Sequence, residues 1–238
     1  MKVLLLNAGY FTGLDGSLSD YLIHGFRYLY TPDAVMHEVE NAVKHLVYTE
    51  KPDICCFLEL HQKTAFVKDF RPYRCHDIDN KYGLQSFLRW LPFFDDNCNG
   101  FFSRKNIPFK KLYFKNGAKK LIYELKIAED VSLILCHFSL SSPVRQKQFL
   151  EVQKIIHKRD RVIVAGDFNI FHGTCELSQL LADCDVKLVN HKPTFPAVHP
   201  TKMFDLFLCS KSIKITRCEV ARGFHGSDHL PVILEFQM

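Results

Sequence analysis

The stretch Arg161–Asn169, Arg-Val-Ile-Val-Ala-Gly-Asp-Phe-Asn, says most about the fold class of this chain. Its Val162–Ala165 run is apolar on both alternations of a strand, so we expect both faces of the sheet to be covered. The predicted strand covers Arg161–Asp167, so the carboxylate of Asp167 ends it and the amide of Asn169 follows. Two packed sheets with helices outside would satisfy this pattern, and so would a three-layer α/β domain.

Further short β-type runs, bounded by turn residues, recur along the chain. They are Val3–Asn7, Ile54–Leu60, Leu121–Ile127, Val131–Phe138, Met203–Cys209, Ile213–Val220 and Pro231–Phe236. Apolar periodicity predicts a helix from Pro32 to about Thr49 and another from Ser142 to about Lys158. In the second helix, Ser142 is the expected cap and Pro143 suits the first helical position. A weaker helix is predicted over Cys175–Ala182.

The composition of the 238 residues, 47% hydrophobic and 24% charged, is that of a globular protein and excludes a disordered or fibrous chain. Because no linker, low-complexity tract or repeat interrupts the sequence, we expect one domain over residues 1–238. The apolar runs are too short for a transmembrane segment, and we expect no secretory signal because Val3–Leu6 is typical of a first strand. Nine cysteines without a Cys-x-x-Cys motif favour a reducing compartment. We therefore expect a cytoplasmic protein, while export by a signal elsewhere in the chain stays open.

The net charge of +5 permits an anionic partner without requiring one. Nucleic acid, a nucleotide and a phospholipid head group are all compatible with it. The lysine pairs Lys110–Lys111 and Lys119–Lys120 are typical of a solvated face.

Polar side chains interrupt the apolar runs at their C-terminal ends, where a sheet holds reactive groups rigidly. The runs end at Asn7, Glu59, His137 and Asp167, and Asp228 and His229 come just before the last run. Because strand side chains alternate, Asp167 and Asn169 should share a face and could address one phosphate or one metal-bound water. An Asx-type turn explains Gly166–Asn169 equally well, and Ser227–His229 could be a capped turn.

Asp205 stands among the apolar residues of Phe204–Leu208, where a buried carboxylate is costly unless it is paired. A histidine is the natural partner, because an acid behind an imidazole fixes the tautomer and raises the basicity of the ring. His229 is the candidate partner. The alternative is that Asp205 caps a backbone turn at the start of its strand.

In chain order, these motifs resemble those of the endonuclease/exonuclease/phosphatase superfamily. The most characteristic are Ala165–Asn169 and Gly226–Val232, which read Ala-Gly-Asp-Phe-Asn and Gly-Ser-Asp-His-Leu-Pro-Val. The other matching pieces are Leu5–Asn7, Phe57–Glu59, Asn99–Arg104, Cys136–Leu140 with Arg145 and Gln148, and Phe204–Leu208. The resemblance spans residues 3–236 and implies a deoxyribonuclease I-like, four-layer α/β/β/α sandwich of two packed mixed sheets flanked by helices.

The resemblance also implies a divalent-metal-dependent hydrolase of phosphoesters, most simply a phosphodiesterase or nuclease. Glu59 would bind Mg²⁺ or Mn²⁺, with Asn7 and Asp228 in or just behind its coordination shell. His229, held by Asp205, would take the proton from the attacking water.

Three further side chains complete the implied site. Asp167 would orient the attacking water or share the role of base. Asn169 and His137 would donate hydrogen bonds to the non-bridging phosphate oxygens, where negative charge builds. Arg145, on the helix that follows the histidine motif, is a candidate substrate-binding residue.

The fold class does not decide the substrate. A nucleic acid or nucleotide is the first expectation, and a lipid-derived or small phosphoester of the sphingomyelinase or phosphoinositide type is the second. A non-catalytic binding protein with an idle site is the third, and a monomer is expected in each case. Rim aromatics that could meet a nucleobase or a lipid are Tyr10, Phe11, Trp90, Phe93, Phe94, Phe171, His172, Phe224 and His225. Core packing is favoured for any single ring, and Trp90–Phe94 is the segment most worth checking for exposure.

Overall fold

The apolar runs of the sequence form two mixed β-sheets that pack face to face. The computed structural model describes residues 1–61, 70, 72–83, 86–91 and 94–238. Its strands are β1 (Lys2–Asn7), β2 (Ile54–His61), β3 (Cys75–Asn80), β4 (Asn97–Ser103), β5 (Phe109–Tyr113), β6 (Leu121–Lys126), β7 (Val131–His137), β8 (Arg161–Asp167), β9 (Val186–Leu188), β10 (Asp205–Ser210), β11 (Lys214–Val220) and β12 (Val232–Gln237). Its α-helices are α1 (Leu18–His24), α2 (Asp33–Glu50), α3 (Ser142–Ile156) and α4 (Ser178–Asp183).

Within the described ranges, each sheet has six strands. The first has the order β11-β12-β1-β2-β4-β3, and the second has the order β5-β6-β7-β8-β10-β9. The pairs β1–β2 and β7–β8 are parallel and the other pairs are antiparallel. Helices flank the two sheets, so the α/β/β/α sandwich expected from the sequence is confirmed. No helix of the described ranges is both long and apolar enough to span a bilayer.

Strands of the second sheet carry apolar side chains on both faces because both faces of this sheet are covered. Val162 and Val164 belong to an outer cluster with Phe149 and Val152 of α3. Ile163, between them, belongs to the inner cluster shared by the two sheets. Burial on both faces removes apolar surface from water at each of the positions Val162–Ala165, which stabilises the sandwich by roughly 25 cal/mol per Å².

Four strands and one α-helix have no counterpart among the elements predicted from periodicity. They are β3, β4, β5, β9 and α1, and of these only β4 overlaps a piece matched by the resemblance, Asn99–Arg104. The strands β3, β5 and β9 lie at sheet edges, where one side of a strand faces solvent and the apolar pattern fades. The sequence of β3, Cys-His-Asp-Ile-Asp-Asn, is an example, because its two aspartates interrupt the apolar pattern by which a strand is predicted.

Some predicted boundaries also need correction. Ser142 is the first residue of α3, and Ser141 occupies the N-cap without a side-chain cap hydrogen bond. The predicted helix at Cys175–Ala182 is a 3-10 turn over Thr174–Leu177 followed by the short α4.

Candidate active site

The register of the second sheet places three predicted site residues in a row. His137 pairs with Asp167 across the parallel strands β7 and β8, and Asp205 pairs with Asp167 across β8 and β10. Nε2 of His137 lies 3.2 Å from Oδ2 of Asp167. Gly166 is required beside this row, because a Cβ there would lie 1.9 Å from the carbonyl oxygen of Cys136.

Asn7 joins the first sheet to this row. It ends β1, and its Nδ2 donates a hydrogen bond of 3.2 Å to Oδ2 of Asp167. Its Oδ1 accepts from the backbone N–H of Gly9. The first-sheet and second-sheet motifs, 160 residues apart, therefore meet at one carboxylate.

Asp205 and His229 form the buried acid–imidazole pair expected from the sequence pattern. Nδ1 of His229 lies 2.7 Å from Oδ2 of Asp205, and the Thr194 hydroxyl donates to the same oxygen at 2.6 Å. Burial lowers the pKa of His229, but the charge and hydrogen bond of Asp205 outweigh burial and raise that pKa to about 10. Asp205 is also the first residue of β10. Its Oδ2 contacts the side chains of His229 and Thr194, so the histidine pairing describes it better than a backbone turn cap.

The pKa of Asp167 is lowered, whereas the pKa values of Glu59 and Asp205 are raised. Burial raises the pKa of Asp167, but the hydrogen bond and charge of His137, with the charges of His229 and Lys119, hold it well below its usual range. The pKa of His137 is lowered to about 3, mainly by burial and by the charge of Lys119. Asp167 is therefore ionised and His137 neutral at pH 7.

Glu59 sits at an irregularity of the first sheet. The register of β2 against β4 shifts between Phe57 and Leu60, and Glu59 has a left-handed backbone with φ of +52°. Its N–H donates to Oδ1 of Asn99 at 3.2 Å, and its Oε1 accepts from the Tyr10 hydroxyl at 3.0 Å. A strained backbone held by specific contacts is a common feature of functional sites.

The carboxyl group of Glu59 has a pKa of about 7, raised chiefly by burial. The charge of Lys119 opposes this shift, whereas the charges of Asp228 and Asp167 add to it. Glu59 therefore lies within the electrostatic reach of both carboxylates.

Asp228 is held by two tyrosines that the sequence analysis did not identify. The Tyr21 hydroxyl of α1 donates to Oδ2 of Asp228 at 2.5 Å, and the Tyr28 hydroxyl lies 3.5 Å from the same oxygen. Gly9 lies so close that a Cβ on it would be 2.9 Å from Oδ1 of Asp228. The N–H of His229 also donates to the Ser227 hydroxyl, as in the capped turn considered above.

Two lysines that the sequence analysis did not assign to the site reach Glu59. Nζ of Lys81 lies 3.2 Å from Oε1 of Glu59 and also contacts the Tyr10 hydroxyl. Nζ of Lys119 lies 3.9 Å from the same carboxylate oxygen and contacts Nε2 of His137. The ammonium groups thus converge from two segments of the chain.

The solvated-face prediction for Lys119–Lys120 is wrong for Lys119, whose side chain is only 16% exposed. Burial lowers the pKa of Lys119, and the charges of Glu59 and Asp167 oppose that shift. Lys119 lies in the loop before β6, so no periodic pattern in the sequence gave its direction.

Asn169 is placed by a turn and not by strand alternation. β8 ends at Asp167, and Asn169 has a left-handed backbone with φ of +50°. Its N–H donates to Oδ1 of Asp167, which is the Asx-type hydrogen bond, and its Nδ2 donates to the carbonyl oxygen of Phe138 at 3.0 Å. Asn169 therefore links the turn after Asp167 to the residue that follows His137.

The contacts of Arg145 do not support its predicted role in substrate binding. Its side chain is completely buried, its Nε and Nη2 bond to Glu176, and its Nη1 donates to the carbonyl oxygens of Ser139 and Leu140. Arg145 therefore positions the loop that follows β7.

The rim aromatics divide between core and surface. Tyr10, Phe11 and Phe224 are buried, as core packing requires. The exposed or part-exposed rings are Trp90, Phe94, Phe171, His172 and His225. In the segment singled out for exposure, Trp90 is 76% exposed, while Phe93 lies outside the described residues.

The donor set matches a hard divalent cation in its chemistry. Carboxylate and amide oxygens, here from Glu59, Asp228 and Asn7, are the ligands that Mg²⁺ prefers. Among the side chains that the structure describes, no three His, Cys, Asp or Glu residues are grouped so that they could hold a metal ion. The Tyr10 hydroxyl and Nζ of Lys81 contact Glu59, and the Tyr21 hydroxyl contacts Asp228.

The comparisons with known proteins agree with this architecture. A family model, Exo_endo_phos_2, described as endonuclease-reverse transcriptase, matches residues 134–233. No curated protein sequence matched the chain. A mannosyl-6-phosphatase of Bacteroides thetaiotaomicron is 13% identical, with a TM-score of 0.73 and coverage of 100% of each chain.

Two further solved structures span the whole of this chain. D. rerio TDP2, complexed with a single-strand DNA product, is 16% identical with a TM-score of 0.70 and is covered over 99% of its length. An endonuclease/exonuclease/phosphatase from Beutenbergia cavernae is 16% identical with a TM-score of 0.72, and 71% of it is covered. These findings confirm the resemblance carried by the motifs. The chain has the deoxyribonuclease I-like fold of the endonuclease/exonuclease/phosphatase superfamily.

Proposed function

We propose that this protein is a divalent-metal-dependent phosphoester hydrolase, with a phosphodiester of a nucleic acid or nucleotide as the first substrate class. The observation that carries the proposal is the buried pair of Asp205 and His229, joined at 2.7 Å, in which Asp205 pairs in strand register with Asp167. Burying two carboxylates and an imidazole together is costly for folding, which favours a functional reason for the arrangement.

Glu59 and Asp228 would hold the metal ion, with Asn7 beside them. When bound, Mg²⁺ or Mn²⁺ supplies positive charge that neutralises the phosphoryl oxygens and helps the leaving oxygen depart. The Tyr10 and Tyr21 hydroxyls, which donate to Glu59 and Asp228, would hold the two carboxylates in place.

His229 would accept the proton of the attacking water in its deprotonated form, and because its pKa is about 10, the share of that form and hence the rate should grow as the pH rises towards 10. Asp205 engages its Nδ1, so Nε2 is the nitrogen that would receive that proton. Asp167, ionised and hydrogen-bonded to Asn7, would orient the water or share the role of base. His137 and the second hydrogen of the Asn169 amide would donate to the phosphoryl oxygens.

The test is a hydrolysis screen with Mg²⁺ or Mn²⁺ over single- and double-stranded DNA, RNA, bis-p-nitrophenyl phosphate, phosphoinositides and sphingomyelin. We expect turnover of at least one substrate, abolished by EDTA and strongly reduced in Asp167→Asn. Turnover that survives EDTA would contradict the metal role. Absence of hydrolysis across the whole panel would favour a binding protein with an idle site.

A lipid-derived phosphoester is the second candidate, because an apolar surface adjoins the site. Leu22 is 87% exposed, and other large apolar side chains of the same segment are exposed with it. They are Leu18, Ile23, Phe26, Leu29 and Tyr30. The same segment carries the tyrosines that contact Asp228. Exposed apolar patches of this kind suit a lipid surface, and co-sedimentation with phosphoinositide or sphingomyelin vesicles would separate this candidate from a nuclease.

A further inference from the structure

We infer that Lys81 and Lys119 form a phosphate cradle, in which the two ammonium groups bind the non-bridging oxygens of the substrate phosphoryl group. This inference rests on the proposed function and adds two substrate-binding residues to it. Neither lysine lies in one of the motifs that carry the resemblance.

The backbone holds the two lysines beside each other across the two sheets. Lys81 follows β3 of the first sheet, and its N–H donates to the carbonyl oxygen of Asn97 at 2.9 Å. Its own carbonyl oxygen accepts from the N–H groups of Lys120 and Leu121, at 2.7 and 3.1 Å, where β6 of the second sheet begins. The position of one lysine therefore fixes the approach of the loop that carries the other.

A buried amide of α3 sets the Lys119 loop. Nε2 of Gln148 donates to the carbonyl oxygens of Asn116 and Lys119, at 3.0 and 3.1 Å, and its Oε1 accepts from the N–H of Ser139. Gly117 has φ of +86°, and a Cβ there would lie 2.8 Å from Nε2 of Gln148. The same amide thus ties the lysine loop to the loop that follows His137.

The two side chains are buried amino groups that share one small anionic partner, and burial holds the pKa of Lys81 well below its usual range. The side chain of Lys81 is 4% exposed, and both Nζ atoms face the same Oε1 of Glu59. Taking an ammonium group out of water is expensive unless anionic oxygens surround it, and a single carboxylate oxygen satisfies two ammonium groups poorly. Each group can donate three hydrogen bonds, so further anionic oxygen can be accommodated.

A tetrahedral phosphoryl group supplies those oxygens at the correct side of the site. Lys119 contacts Nε2 of His137, and His137 contacts Asp167, so the cradle adjoins the residues assigned to the phosphate and the attacking water. Both a phosphomonoester and a phosphodiester present at least two non-bridging oxygens, and inorganic phosphate presents the same chemistry.

The experiment measures binding of inorganic phosphate by calorimetry in EDTA, so that neither metal nor turnover is needed. We expect Lys81→Met and Lys119→Met each to weaken phosphate binding about 10-fold or more, the effect of removing a charged hydrogen bond. Lys115→Met removes the same charge from an exposed position of the Lys119 loop and should change the dissociation constant less than about twofold.

Several outcomes would overturn the cradle. Wild-type protein that does not bind phosphate, or two folded variants that bind it as the wild type does, would show that the lysines serve only to neutralise Glu59. Circular dichroism and thermal unfolding establish folding, and Lys81→Gln and Lys119→Gln replace any methionine variant that does not fold. A protein that binds phosphate through the lysines but hydrolyses nothing would retain the cradle and contradict the hydrolase.

Discussion

His229 and Asp205 are joined at 2.7 Å between Nδ1 and Oδ2, across 24 residues of sequence and inside the protein. The Thr194 hydroxyl also donates to this carboxylate oxygen. Asp205 therefore holds the orientation of the imidazole through Nδ1, and Thr194 holds Asp205, as a general base requires.

Replacing Asp205 by Asn should remove the charge behind the imidazole while keeping the shape of the side chain. We expect kcat to fall by about 10²–10⁴-fold, the range of general-base catalysis, with a smaller change in KM. Steady-state kinetics on the best substrate of the screen will measure both. Asp185→Asn, a change at a largely exposed carboxylate, is the matched control, and equal losses in the two variants would contradict the assignment.

The raised pKa of His229 predicts a pH-dependent stability. The folded-state pKa of about 10 lies above the ordinary value of 6.5, so the stabilisation is complete below pH 6.5 and is lost as the pH rises through about 10. Denaturant unfolding in EDTA should show the stability difference between wild type and His229→Gln shrinking from pH 6.5 to pH 10. A difference that stays constant or grows would show that His229 is not held as an imidazolium.

Arg145 should matter for folding more than for substrate binding. Arg145→Met removes the guanidinium that pairs with the largely buried carboxylate of Glu176, so we expect the free energy of unfolding to fall by about 3 kcal/mol. The double variant Arg145→Met, Glu176→Met should recover part of that loss, because no charge is then left unpaired. Unchanged stability of the single variant combined with a raised KM would instead support the substrate-binding role predicted from the sequence.

Lys119→Met should strengthen metal binding while it weakens phosphate binding. The ammonium group lies 3.9 Å from Oε1 of Glu59, a distance at which two unit charges interact by about 1 kcal/mol even in bulk water. Its removal should lower the Mg²⁺ dissociation constant about fivefold or more, measured by calorimetry without substrate. Damage to the site would weaken both ligands, so opposite changes separate an electrostatic effect from a structural one.

The sequence was most informative where strands are buried on both faces. β8 was predicted with its observed bounds because every position of Val162–Ala165 is apolar, and the polar residues after it could then be assigned to a sheet end. The pairing of Asp205 with His229 was predictable for a related reason, since a carboxylate among apolar neighbours requires a partner.

The rest of the site comes from segments without a periodic pattern. Lys81 and Lys119 lie in connections between strands, and Tyr21 and Tyr28 belong to a short α-helix and a 3-10 turn. Their side-chain directions depend on tertiary contacts such as the backbone hydrogen bonds between Lys81 and Leu121. Strand alternation also failed to describe Asn169, because a left-handed residue ends the alternation after Asp167.

The central claim is tested most directly by Mg²⁺-dependent hydrolysis of bis-p-nitrophenyl phosphate, measured for wild type and His229→Ala side by side. We expect the rate of the variant to fall by about 10²–10⁴-fold, with folding intact by circular dichroism. Equal, metal-dependent rates for the two proteins would contradict the account.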